Sequence, residues 1–293
     1  MNLVGVGLVP VQHRHVMTLI GSFLESSENY HEPWAGLVCS PRAEFSLEEY
    51  LSSVVDSQNS SKRETLSGFF GCLLSAFDCL RRDRRLGHHR FKISTSNIFV
   101  YDEKAFFGDI YSLQQRSRIP KEKYHLPATT LRQIQPRHET SPSTISKTQV
   151  STFPSDESIT KSRDQGPIEE LGRVFLAIFA ALRGERLSDI YSRMIERNGK
   201  KRKPFSLREL AKLAVSDFEK QGDVAENRPL RWIRAMLESK GEQESNIKEL
   251  LEQICMPSEG GPSFCGSCCM EDNCEYENQI SQEQSETSDC DSM

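Results

Sequence analysis

Apolar positions along this chain follow two rhythms, and the change from one to the other predicts the architecture. Up to about position 40 they fall in short runs, Val16-Met-Thr-Leu-Ile-Gly-Ser-Phe23 and Trp34-Ala-Gly-Leu-Val-Cys39. A polar segment separates them, which predicts two paired strands. Ser46-Leu-Glu-Glu49 has the Ser-x-x-Glu form of a capping box and predicts a short helix through Leu51. Leu66, Phe70, Leu73, Phe77 and Leu80 then recur at steps of four and three, so they line one face of a helix. Its expected end is a basic last turn (Arg81, Arg82, Arg84, Arg85) followed by Gly87.

Residues 114–166 lose this periodicity, and from Ser141 to Ser162 the chain is rich in Ser and Thr with two prolines. A disordered insertion over about 130–165 is the expectation, since long structureless loops are uncommon inside compact domains. The helical rhythm returns with Leu171, Val174, Phe175, Ile178, Phe179 and Leu182, a face wide enough for a central buried helix. Pro167 stands where a first-turn proline is tolerated. Further helices are predicted at 187–198, 205–220, 229–238 and 245–255. Beyond Met256 come four clustered cysteines and, from Glu271, eight acids with no Lys or Arg, a pattern that predicts a disordered tail over 256–293. No internal repeat interrupts this plan, so the fold class is α+β, mainly α.

Composition narrows the function classes. A formal charge of −5, with the basic residues spread out, argues against a nucleic-acid binder. No apolar run approaches the ~20 residues of a membrane helix, so no membrane association is expected. Met1-Asn-Leu-Val-Gly-Val-Gly7 lacks a basic n-region and does not read as a signal peptide. Nine cysteines without such a signal imply a reducing compartment, cytoplasmic or nuclear.

The densest chemistry lies at Gly87–Val100, which reads Gly-His-His-Arg-Phe-Lys-Ile-Ser-Thr-Ser-Asn-Ile-Phe-Val, and at Phe106–Tyr111, which reads Phe-Phe-Gly-Asp-Ile-Tyr. This resembles the catalytic loop and metal-binding loop of a protein kinase: His-x-Asp-x-Lys-x-x-Asn, a strand, a turn, a strand and Asp-Phe-Gly. Other landmarks keep the family's order. His15–Gly21 looks like the entry to the fourth strand, and Gly36–Pro41 like the fifth strand and hinge. Tyr124-His-Leu-Pro-Ala128 stands where fungal relatives carry Tyr-Cys-Ala-Pro-Glu, Ile168–Phe175 resembles the central helix, and Arg228–Leu237 with Phe264–Cys269 resembles the C-terminal part of fungal Ser/Thr kinase-like proteins. The resemblance implies a protein kinase-like fold: an N-lobe remnant over 1–40, a helical C-lobe over 41–255 with the insertion, and the tail.

It also implies which parts are missing. Anchored on Asn97, the catalytic Asp position holds Lys92 and the catalytic-loop Lys position holds Ser94. A lysine is cationic at neutral pH and cannot accept the substrate hydroxyl's proton, the task of the family's aspartate. Asn97 and Asp109 remain at the metal-ligand positions, so weak binding of ATP with Mg²⁺ is what the resemblance allows. The glycine of Asp-Phe-Gly becomes Tyr111, and the Glu–Arg clamp partners fall on Ala128 and Glu244. The central-helix aspartate that supports the catalytic loop falls on Pro167. A glycine-rich loop and its strand lysine need tens of residues before His15, and Gly5-Val-Gly7 meets Pro10 where the third glycine belongs.

The expected function is therefore an inactive, kinase-like binding or scaffold module whose protein partners the sequence does not name. The alternatives are an ATP-binding Ser/Thr kinase with residual phosphotransfer, or an incomplete gene model of one. A third is a scaffold that docks partners through a phosphorylated 141–162 loop. Two thiol and imidazole groupings stay open. Cys265, Cys268, Cys269 and Cys274 supply the four thiolates of a structural zinc, but their acidic, aperiodic flanks favour exposed or modified thiols. His13 and His15 are spaced to reach one metal from a strand, with a packed or exposed pair as the simpler reading.

Overall fold

The computed structural model describes residues 2–3, 11, 13–25, 34–57, 59–83, 92–108, 166–198, 205–221, 227–239, 244–256, 263–266 and 268. Among them are six strands: β1 (Asn2–Leu3), β2 (Thr18–Glu25), β3 (Trp34–Ser40), β4 (Phe45–Ser46), β5 (Ile98–Tyr101) and β6 (Lys104–Phe107). The helices are α1 (Leu47–Ser57), α2 (Ser60–Arg82), α3 (Pro167–Leu182), α4 (Leu187–Asn198), α5 (Leu207–Gln221), α6 (Arg228–Glu238) and α7 (Glu244–Cys255). The class is α+β, mainly helical, with two small antiparallel sheets ordered β1-β2-β3 and β4-β5-β6. None of the described helices is long and apolar enough to cross a membrane.

The two predicted strands pair as β2 and β3, with Thr18 opposite Ser40 and Leu24 opposite Ala35. The capping box forms: Ser46 N–H donates to Glu49 Oε2 at 2.8 Å, and Glu49 N–H donates to Ser46 Oγ at 3.2 Å. Its helix runs on to Ser57, past the expected Leu51, because Val54 continues the buried face that Leu47, Tyr50 and Leu51 begin. Asn59, unnoticed in the sequence, caps α2 by accepting from Ser61 N–H at 2.9 Å. That helix closes at Arg82 with Asp83 as its C-cap, so Arg81 and Arg82 alone form the basic last turn. Arg84, Arg85, Gly87, the 130–165 insertion and Asp109 lie outside the described residues.

The centre of the molecule is α3. Leu171, Phe175, Leu176, Ile178, Phe179 and Ala180 are buried around its circumference, since α1, α2, α4, α5 and α6 all pack against it. Aromatic rings lock the helices together. Phe70 of α2 meets Phe175 of α3 edge-on at 5.0 Å, and also faces Trp232 of α6 and Phe264. Phe179 meets Phe218 of α5 edge-on at 5.2 Å.

Phe264 corrects the expectation that everything beyond Met256 is disordered. Ser263–Gly266 lies along α2, with Phe264 and Cys265 buried. Ser67 Oγ donates to Ser263 O at 2.9 Å, and Gly71 N–H donates to Phe264 O at 2.8 Å. Gly71 permits this approach, for a Cβ there would stand 2.7 Å from Cys265 Sγ. The Arg228 guanidinium lies over the rings of both Trp232 and Phe264, which adds a cation–π contact to the apolar seam.

The N-terminal sheet joins the rest through main-chain bonds. Val16 pairs in parallel with Phe107, Met17 N–H donates to Phe107 O at 2.9 Å, and Phe107 N–H donates to His15 O at 2.9 Å.

Candidate functional site

Two constellations stand out. The first is the loop Lys92–Asn97 between α2 and β5, where the sequence placed Lys92, Ser94 and Asn97. A tight turn holds it, with Asn97 N–H donating to Ser94 O at 3.0 Å. The Asn97 side chain bonds within the loop, Nδ2 donating to Lys92 O at 3.3 Å, and its backbone carbonyl accepts from Gly108 N–H at 3.1 Å. The latter bond closes the open end of the β5–β6 hairpin, next to the Ile98–Phe107 pair. Ser94 Oγ shares a hydrogen bond with Ser96 Oγ at 2.8 Å, and Lys92 points to solvent. Glu48 N–H, in the first turn of α1, donates to Thr95 O at 3.2 Å.

The loop's deepest anchor was missed in the sequence. Position 167, where a supporting carboxylate was sought, is a proline, but Glu170 lies one turn further along α3. Its Oε2 accepts from Ile93 N–H at 2.7 Å. No local feature of the sequence separates it from its neighbour Glu169. Burial raises the Glu170 pKa, and that effect exceeds the opposing Ile93 hydrogen bond and the Arg173 and Lys92 charges, while Glu169 adds to it.

A carboxyl whose pKa is higher in the folded than in the unfolded chain stabilises the fold in acid. That contribution is lost as pH rises through the raised value. Glu170→Gln keeps an acceptor for Ile93 and has no charge to desolvate. The fall in stability from acid to neutral pH is therefore expected to be smaller in this variant than in the wild type, read from urea midpoints. Equal falls would contradict the desolvation. Glu170→Ala strips the acceptor from a partly buried N–H and is expected to cost about 1–3 kcal/mol.

Next to Glu170, Glu169 is buried, with Oε2 at 3.5 Å from Arg208 Nε on α5, and Oε1 has no hydrogen-bond partner. Arg208 also donates to Leu237 O at 3.2 Å, so one guanidinium ties α3, α5 and α6 together.

The second constellation draws on all three parts of the chain: His15 before β2, Cys72 on α2 and Cys268 beyond Phe264. Their ligating atoms all lie within 4.8 Å of one another. His15 Nε2 is 3.2 Å from Cys268 Sγ, and the two sulfurs are 3.8 Å apart. On the other side of the ring, Nδ1 is 2.8 Å from Ala105 O. A carbonyl oxygen only accepts, so Nδ1 carries the hydrogen and Nε2 faces the sulfurs. Burial alone would lower the His15 pKa, but the hydrogen bonds and charges of Cys268 and Cys72 outweigh it and raise it to about 10. More sulfur lies alongside, where a hydrogen bond from Cys265 lowers the pKa of Cys255.

His13 takes no part in this cluster, which corrects the idea of one metal shared by His13 and His15. Its Nδ1 accepts from His15 N–H at 3.1 Å and its Nε2 bonds Ser75 Oγ at 3.3 Å. In the sequence His15 stands out only beside His13, and Cys268 only beside Cys265, Cys269 and Cys274, the last two of which lie outside the described residues; Cys72 goes unnoticed because it sits inside an apolar helical face.

No protein-family model, no curated protein and no solved structure matches this chain.

Proposed function

We propose that this protein is a kinase-like module that does not transfer phosphate and acts by binding other proteins. The order of its elements supports the reading: a strand pair, two helices, a loop, a hairpin, a buried central helix and four helices after it. The observation that carries it is the Lys92–Asn97 loop. Its backbone is held in place from α3 and from the hairpin, as a loop that once positioned reacting groups would be. Its side chains, however, offer an exposed cation at Lys92, a hydroxyl tied to Ser96 and an amide tied to Lys92 O. None of these accepts a proton from a substrate hydroxyl.

The test is a thermal-shift titration of the full chain with Mg-ATP, beside a radiolabelled phosphate-transfer assay. The expected result is no transfer and no shift at millimolar nucleotide. A ligand present at about 100 times its Kd adds about 2.7 kcal/mol of stability and would be seen. Transfer that Asp109→Ala abolishes would overturn the reading in favour of an active kinase. A shift without transfer would keep the module inactive but make nucleotide part of its binding function.

A further inference from the structure

His15 is fully buried, yet the groups its Nε2 faces are two sulfurs brought from chain positions far apart. We propose that His15, Cys72 and Cys268 are ligands of a structural zinc ion that clasps the Ser263–Cys268 segment to α2 and to the segment before β2. The inference does not depend on the kinase-like reading.

Four observations carry it. The donor set, one imidazole and two thiols, is the soft nitrogen and sulfur set that zinc prefers over hard cations. The spacing fits. Two sulfurs each about 2.3 Å from a tetrahedral zinc stand about 3.8 Å apart, and Cys72 Sγ and Cys268 Sγ are separated by 3.8 Å. A nitrogen and a sulfur on the same ion stand about 3.5 Å apart, against 3.2 Å between His15 Nε2 and Cys268 Sγ. The ring orientation is that of a ligating histidine, whose second nitrogen donates to a backbone carbonyl and so fixes the tautomer, here through Ala105 O. Gly266 completes the fit, since a Cβ there would press to 3.1 Å from both Cys72 Sγ and Cys268 Sγ.

A disulfide between Cys72 and Cys268 is the competing fate of these sulfurs. It would need them to close from 3.8 Å to about 2.05 Å, and it gives His15 no role. A structural zinc is closed by four protein ligands, so this site calls for one more thiolate, and Cys265 and Cys255 are the described sulfurs packed beside Cys72. Burial of His15 and Cys72 suits a structural ion over a catalytic one.

The experiment uses the full chain expressed with added zinc, purified under reducing conditions and desalted. Elemental analysis is expected to give about one zinc per chain, falling to a small fraction in Cys72→Ser, Cys268→Ser and His15→Gln. Cobalt exchanged into the wild type is expected to show thiolate-to-cobalt charge-transfer bands and tetrahedral d–d bands. A chelator should lower the wild-type melting temperature and leave that of Cys268→Ser unchanged. Should the Cys72 variant fail to fold, the wild-type cobalt spectrum decides by itself. Substoichiometric zinc with no cobalt bands would overturn the proposal. So would zinc retained in the Cys72→Ser/Cys268→Ser double variant, or alkylation mapping that finds the two sulfurs joined.

Discussion

Replacing Phe70 with alanine is expected to destabilise the protein by about 3–5 kcal/mol, the range for removing a fully buried aromatic ring. The size follows from where Phe70 sits. It touches Phe175 at 5.0 Å, Phe264 at 5.9 Å and Trp232 at 6.3 Å between ring centroids, all in edge-on geometry. Each such pair adds about 0.5–1.5 kcal/mol beyond area burial. The three partners belong to α3, α6 and the segment after α7, so the cavity would open where separate elements meet and cannot close by a shift of one of them. Urea unfolding followed by tryptophan fluorescence is a direct measure, because Trp232 lines the same cluster. A loss under about 1 kcal/mol would mean that the cluster collapses into the space. Ile20, 68% exposed, serves as the control, with Ile20→Ala expected to stay within about 0.5 kcal/mol of wild type.

Arg208→Ala is expected to cost about 3 kcal/mol, because it leaves Glu169 buried without a counter-charge. The figure sits at the low end of the range for broken buried pairs because the Arg208 side chain is 34% exposed, against 3% for Glu169. Glu169 already has one oxygen without a partner, so its second has no substitute when the guanidinium goes. The double variant Glu169→Met/Arg208→Met should recover most of the loss, since apolar replacement of a buried pair is close to neutral. Denaturant midpoints of the two single variants and the double variant check this. If Arg208→Ala and the double variant are equally destabilised, the penalty is lost packing of the arginine stem and not a stranded charge.

The sequence was most legible where one period ran for several turns. Leu171 to Leu182 placed α3 at the centre, and Leu66 to Leu80 oriented α2, because burial on one helical face leaves a periodic trace. Ser46 and Glu49 declared the start of α1 because both halves of a capping box are local. What depends on distant partners left weaker marks. Glu170 supports Ile93 from 77 residues away, and nothing local distinguishes it from Glu169, which faces Arg208. Cys72 read as one more small apolar residue on a core face. Its one hint was Gly68 and Gly71 just before it, a smooth strip that another stretch of chain can cross. Acidic surroundings hid the docking of Phe264, whose three aromatic and cationic partners lie on other helices.

The joint between the His15 segment and β6 also sets an order of events during synthesis. His15 and Met17 bond to Ala105 and Phe107, and His15 faces a sulfur made 253 residues later. At cellular elongation rates that interval is on the order of tens of seconds. Through that time the β2–β3 hairpin is complete while Cys268 is not yet made. The contact between His15 and Cys268 can therefore form only after every helix from α1 to α7 has been made.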